Sequence, residues 1–208
     1  MATPRSQQIG IWIIAVVMLV GTLGSFLVMV LSNQNQAKDQ ASLQKAYNTY
    51  QASVTAQTKQ LSDTYYPTFS QYSTIPAAFS ADGIKTVTTI DLKVGDGATL
   101  TSTTTYSAYY IGWNPKGVVF DQSIETGALK APIVGGNLIT GWNEGVVGMK
   151  FGGVREITIP SDKAYGATGS GDNIPPNTPI KFVVMAIPKV STITMPQILQ
   201  DYYNSQQQ

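Results

Sequence analysis

Residues 138–149 read Leu138-Ile139-Thr140-Gly141-Trp142-Asn143-Glu144-Gly145-Val146-Val147-Gly148-Met149. Trp142, Val146 and Met149 stand at i, i+4 and i+7, which places them on one face of a helix, and Thr140 is of a residue type that caps a helix N-terminus. Around this short helix the pattern changes to strands. Upstream, residues 84–92 (IKTVTTIDL) are rich in β-branched residues and end at the turn Gly95-Asp96-Gly97. Residues 103–111 form a Thr- and Tyr-rich run, Asn114-Pro115-Lys116-Gly117 reads as a hairpin turn, and residues 118–121 return from it. Downstream, residues 155–159 and 180–185 are two more strands. One short helix among about five strands predicts an α+β domain over residues 81–190, with the helix on one face of an antiparallel sheet. A segment of about 110 residues is enough for one core.

Farther upstream, residues 9–31 (IGIWIIAVVMLVGTLGSFLVMVL) carry no charge. As a helix they would reach about 34 Å, enough to cross the hydrocarbon of a bilayer. The run is too long for the apolar part of a cleavable signal, and its exit, Ser32-Asn33-Gln34-Asn35-Gln36, offers no small-residue cleavage site. The expectation is an uncleaved transmembrane signal anchor in the cell membrane. Arg5 precedes it, and Lys38 and Asp39 are the first charges after it, so the positive-inside tendency puts residues 1–8 in the cytoplasm and the rest outside. Residues 32–80 are polar. Leu43, Tyr47, Tyr50, Val54 and Leu61 follow a heptad-like spacing with Gln57 in the missing place, which predicts a helical stalk over about 39–65. It reads either as a single amphipathic helix or linker, or as one strand of a coiled-coil dimer. Pro67 and Pro76 are expected to end it. The tail, residues 191–208, is a short helix or a frayed end.

Composition excludes much chemistry. The chain has no Cys and no His, which removes thiol catalysis, disulfides, Cys/His zinc sites and a Ser-His-Asp triad. A net charge of +1 gives no reason to expect nucleic acid. The loop 162–179 (DKAYGATGSGDNIPPNTP) holds Gly166, Gly169 and Gly171 but is no phosphate cradle, because Asp172 and Asn173 stand where a P-loop needs Lys and Ser/Thr. Pro175, Pro176 and Pro179 also prevent a helix from starting there. Serine–lysine hydrolysis remains formally open, with Ser123 and Lys130 or Ser161 and Lys163 as candidates. Two-carboxylate glycosidase chemistry remains open too, although the 12 acidic residues form no suggestive pair.

Taken in order, Tyr110-Ile-Gly112, Gly117-Val-Val-Phe-Asp121, the helical stretch 138–149, Arg155-Glu-Ile-Thr-Ile-Pro160, Ala164-Tyr-Gly166 and Ile174-Pro-Pro176 resemble the FKBP-type peptidyl-prolyl cis-trans isomerases. That resemblance implies a bent antiparallel sheet wrapped on one short helix, with an apolar pocket between them. It implies no cofactor and no metal. The partners it implies are proline-containing segments of unfolded or exported proteins. Trp142 would floor the pocket, and Tyr110, Phe120, Leu138, Ile139 and Phe182 would wall it. The backbone N–H of Ile139 and the hydroxyl of Tyr165 would each donate to a substrate carbonyl. Ile174 would close the flap side, and Asp121 would orient polar groups at the edge. The glycine-rich loop becomes a flap whose glycines supply unusual backbone angles. Thr126 stands where the family usually has a basic residue, Leu129-Lys130-Ala131 where an aromatic wall is common, and Ser170 and Asn173 where the flap is usually more apolar. The expected function is therefore a membrane-anchored isomerase assisting exported proteins. A catalytically weak proline-peptide-binding chaperone or scaffold is the alternative.

Overall fold

The computed structural model describes residues 34–136 and 138–207, with side chains from residue 40 onward. The expected anchor at 9–31 lies outside the described residues. Among the described residues no helix is long and apolar enough to cross a membrane. The chain divides into two compact units: the described residues of Met1–Lys59 with Ser191–Gln208, and Gln60–Val190.

Helix α1 runs Gln34–Phe69 and supplies residues to both units. It continues through Pro67 for two residues before a 3-10 turn at Ser70–Tyr72, so proline does not end it where expected. Proline loses its own N–H bond and crowds the carbonyl one turn back, toward the N-terminus, so residues after it can stay helical briefly, and the helix stops within one turn. In the first unit the amide of Gln57 donates to the carbonyl of Ser191 at 2.9 Å. The tail forms a helix, α3, over Gln197–Ser205, and burial and the neighbouring Tyr47 raise the pKa of the Tyr203 hydroxyl.

The second unit holds strands β1 (Thr88–Lys93), β2 (Tyr106–Trp113), β3 (Val119–Gln122), β6 (Ile133–Val134), β7 (Val154–Ile159) and β8 (Ile180–Pro188) in one sheet. The order is β1-β7-β8-β2-β3, with β6 also on β2, and the paired strands are antiparallel. β4 (Ile124–Glu125) and β5 (Ala128–Leu129) make a separate two-stranded ribbon. The sequence pattern did not announce the ribbon or β6, because two-residue strands leave no periodicity to read.

Helix α2 spans Thr140–Val146. Its N-cap is Ile139, with no side-chain cap bond, so Thr140 does not cap it as expected. Trp142, Val146 and Met149 are buried together against Ile157, Ile159, Phe182 and Val184. Glycine allows the close approach: a Cβ on Gly141 would lie 2.2 Å from Cγ2 of Ile159, and one on Gly145 2.5 Å from Cγ2 of Ile157. Arg155 fixes the far end of α2 by donating to the carbonyls of Gly145 and Val147 at 2.9 Å each, while a two-pronged pair with Asp91 orients it.

Strand alternation sends Tyr109, Ile111, Trp113, Val183, Met185 and Ile187 to the opposite face. That face is not solvated. Phe69 at the end of α1 is fully buried on it, with Tyr65, Tyr66, Tyr72, Ile75 and Phe79 packed around. The expectation of a sheet covered on one face, with residues 32–80 as a separate stalk, is therefore corrected for residues 60–79. Leaving six large apolar side chains in water would cost on the order of 10 kcal/mol, at about 1.5–3 kcal/mol each. The end of α1 removes that cost.

Candidate functional site

Tyr110 on β2, Phe120 on β3 and Phe182 on β8 converge on Trp142 of α2. The Trp142 and Phe182 rings meet edge-on at 5.0 Å, Tyr110 and Trp142 at 5.7 Å, Tyr110 and Phe182 at 6.1 Å, and Phe120 and Phe182 at 5.6 Å. Leu138, Ile139, Ile174 and Tyr165 pack on the same cluster. The Tyr110 hydroxyl donates to Oδ2 of Asp121, whose Oδ1 accepts the backbone N–H of Gln122 at 2.8 Å. All nine residues singled out in the sequence thus belong to one neighbourhood. Their exposures differ from a simple floor-and-walls picture. Trp142 is 2 % exposed and Phe182 4 %, so the indole is the base of the cluster and offers almost no surface. Tyr110, Phe120, Leu138, Ile139 and Tyr165 are half-buried and form the accessible rim. The indole is covered because Tyr110 and Phe182 lie edge-on to it and its N–H is engaged by Tyr106 at 2.9 Å.

Two donors at the rim have no partner among the described residues: the backbone N–H of Ile139 and the hydroxyl of Tyr165. The side-chain amide of Asn143 donates to the carbonyl of Leu138 at 3.1 Å, and the carbonyl of Ile139 accepts from the N–H groups of Trp142 and Asn143. These bonds fix the peptide from which the Ile139 N–H projects. Burial raises the pKa of the Tyr110 hydroxyl far above its usual 10.0, and the bond to Asp121 adds to the effect. Burial also raises Tyr165, with the Asp121 charge adding to it. Both phenols therefore remain protonated donors throughout the neutral range.

The glycine-rich loop is a tight flap. Gly166, Gly169 and Gly171 all have positive φ. At Gly169 (φ 69°) a Cβ would meet the carbonyl oxygen of Ile174 at 2.4 Å, so that position also needs glycine for space. The Ser170 N–H donates to Ile174 at 2.7 Å, and Asn114 in the β2–β3 turn donates from Nδ2 to the carbonyl of Asn173 at 2.7 Å. That last bond ties the flap to the hairpin.

Sequence reading missed Tyr106, Asn143 and the tethering role of Asn114. Tyr106 belongs to the alternating set that includes Ala108 and Tyr110, so strand periodicity carried its signal. Gly112 is also tighter than it reads: a Cβ there would lie 2.5 Å from the Phe182 ring. The serine–lysine pairs are not assembled for catalysis. Ser123 is buried and its Oγ accepts the Tyr110 N–H, Lys130 is exposed, and Lys163 pairs with Glu144 at 2.7 Å. Among the described residues no His/Cys/Asp/Glu group could hold a metal ion.

A helix and an antiparallel sheet enclose an aromatic cluster, and an apolar ring flanked by carbonyls is what such a rim with unengaged donors could accept. Residues 97–187 match the model of the FKBP-type peptidyl-prolyl cis-trans isomerase family. The chain is 40 % identical over 95 residues to an FK506-binding protein of Neisseria meningitidis serogroup A, covering 45 % of this chain and 87 % of that protein. It is 42 % identical over 79 residues to FK506-binding protein 2 of Yarrowia lipolytica, covering 38 % of this chain and 55 % of that one. A crystal structure of a peptidyl-prolyl cis-trans isomerase from Pseudomonas syringae pv. tomato aligns over 66 % of this chain and 96 % of its own, at 29 % identity and a TM-score of 0.44. The chain belongs to the FKBP-type peptidyl-prolyl cis-trans isomerases and is an enzyme of that class.

Proposed function

We propose that the rim of the Trp142 cluster is where the substrate proline is bound and its imide bond rotated. Rotation breaks amide resonance against a barrier of ~18–20 kcal/mol, and no other bond has to break. The enzyme must favour the twisted amide over both planar forms. The twisted form separates less charge than the planar one, so the apolar rim of Tyr110, Phe120 and Ile139 favours it. The Ile139 N–H and the Tyr165 hydroxyl then hold the flanking carbonyls, and Asp121 keeps Tyr110 oriented beside them. The observation that carries the reading is the meeting of the Tyr110, Phe120, Phe182 and Trp142 rings in one cluster, on which Ile139 and Tyr165 also pack.

The experiment compares wild type with Phe120→Ala and Tyr165→Phe in a proline-peptide isomerisation assay, each variant checked for folding. Removing Phe120 should lower kcat/KM by about ten-fold or more, and removing the Tyr165 hydroxyl by a few-fold. Wild-type kcat/KM in both folded variants would remove the site from this surface.

In the same proposal, residues 9–31 anchor the chain in the cell membrane with residues 1–8 in the cytoplasm, and the enzyme acts on exported proteins. The uncharged run and the placing of Arg5, Lys38 and Asp39 support it. Carbonate extraction should leave the chain in the membrane fraction, and protease added outside intact spheroplasts should digest the isomerase domain. A chain released by carbonate, or protected from external protease, refutes that arrangement.

A further inference from the structure

The ribbon of β4 and β5 is bonded at its base both to α1 and to Ser123, the residue that holds Tyr110. At its base, the end opposite the turn at 126–127, the backbone N–H of Leu129 donates to Oγ of Ser62 on α1 at 2.9 Å, and both residues are buried. The Leu129 side chain is buried in the cluster that includes Phe69. Within the ribbon, Ile124 pairs with Leu129 and Glu125 with Ala128. At the same end the Lys130 N–H donates to the carbonyl of Ser123 at 2.9 Å. Ser123 then grips Tyr110 twice, its N–H donating to the Tyr110 carbonyl at 2.8 Å and its Oγ accepting the Tyr110 N–H at 2.9 Å. The Tyr110 hydroxyl ends the chain of bonds on Asp121.

The turn closing the ribbon is strained. Thr126 has φ 46° and Gly127 φ 80°, the pair of positive angles of a two-residue hairpin turn. Gly127 adopts such an angle without cost, whereas β-branched Thr126 is a poor occupant of that region. A two-stranded ribbon this short has little stability of its own, so its closed form depends on what holds it from outside. The buried hydrogen bond to Ser62 and the burial of Leu129 are such holds.

We propose that Ser62 is a positioning residue for the isomerase site: through Leu129 and the β4–β5 ribbon it holds Ser123, and so the Tyr110–Asp121 edge, in place. The inference rests on the reading that Tyr110 and Asp121 border the proline-binding rim. It assigns the end of α1 a part in substrate binding that its covering of the sheet does not require. With the acceptor removed, the Leu129 N–H loses its buried partner and the ribbon loosens. The Tyr110 ring then wanders, and ground state and transition state lose contact alike. Such a loss appears in KM and leaves kcat largely unchanged.

The test uses the full chain in detergent micelles, as wild type, Ser62→Ala and Phe120→Ala. Peptide isomerisation is measured at several substrate concentrations, together with thermal melting and amide hydrogen exchange. Ser62→Ala should stay folded at the assay temperature and raise KM about five-fold with kcat changed less than two-fold, the size expected for one lost hydrogen bond. The amides of Leu129, Lys130 and Tyr110 should exchange faster together, while those of β7 keep their protection. An unchanged KM in Ser62→Ala overturns the proposal, as does activity lost only in proportion to unfolded protein, or a Tyr110 amide exchanging as in wild type. Phe120→Ala separates the two readings. If it is impaired while Ser62→Ala is not, the positioning role falls and the site stands; if neither is impaired, both fall.

Discussion

The indole N–H of Trp142 donates to the hydroxyl of Tyr106 at 2.9 Å, deep between helix α2 and strand β2. Both residues are almost fully buried. Replacing Tyr106 with Phe keeps the ring and removes the acceptor, stranding an N–H where water does not reach. Leaving one buried donor unpaired costs about 1–3 kcal/mol. Tyr106→Phe should therefore lower the melting temperature by several degrees. A melting temperature equal to wild type would mean that the indole finds another acceptor.

Phe69 sits on the other face of the sheet, 6.3 Å from the ring of Tyr109 and 6.5 Å from that of Tyr72. It lies outside the segment matched to the family, residues 97–187. Truncating a fully buried phenylalanine to alanine typically costs about 3–5 kcal/mol. Phe69→Ala should cost that much in chemical denaturation even though the residue precedes the matched segment in the sequence. A cost under about 1 kcal/mol would show that the end of α1 is a loose cover rather than part of the core.

This second face marks where the sequence was legible and where it was not. The helix at Trp142 could be read because three apolar residues at helical spacing stand among strands. The five main strands could be read from β-branched runs and turn residues. The role of residues 60–79 was overlooked, although β8 held a warning: Phe182-Val-Val-Met-Ala-Ile187 is apolar without alternation, the pattern of a strand covered on both faces. Tyr65, Tyr66, Phe69, Tyr72, Ile75 and Phe79 were the available cover, but heptad spacing cannot register a helix that packs on a sheet. The site residues were found together because the resemblance supplied their joint order. Their depth was not legible, because burial of Trp142 depends on rings brought in by β2 and β8.

Buried tyrosines give the stability a definite pH dependence. Burial raises the pKa values of Tyr106, Tyr109, Tyr110 and Tyr165 above the usual 10.0. In the unfolded chain they ionise near pH 10, so above that pH the unfolded state has released protons that the folded state still holds. Stability is then fully present below about pH 10 and falls as pH rises toward the folded-state values. Absorbance at 295 nm, compared between wild type and single Tyr→Phe variants at these four positions, should place their ionisation above the usual 10.0. Ionisation of all 11 tyrosines near pH 10 in folded protein would contradict the burial.

Thr126 offers a substitution that should improve the protein. Its φ of 46° lies in the region where a β-branched side chain crowds the backbone, at a cost of roughly 1–2 kcal/mol for a residue other than glycine or asparagine. Asparagine tolerates the angle, and Asn-Gly is the preferred pair for a two-residue turn with both angles positive. Thr126 is exposed, so the exchange disturbs no core packing. Thr126→Asn should therefore raise stability by about 1 kcal/mol, a gain of a few degrees in melting temperature for a domain of this size. The gain should shrink in a Ser62→Ala background if the ribbon is already loosened there, since a turn that is free to open stores less strain. Equal gains in both backgrounds would mean that the turn is held closed without Ser62, and unchanged or lower stability in the single variant would mean that Thr126 is not strained at all.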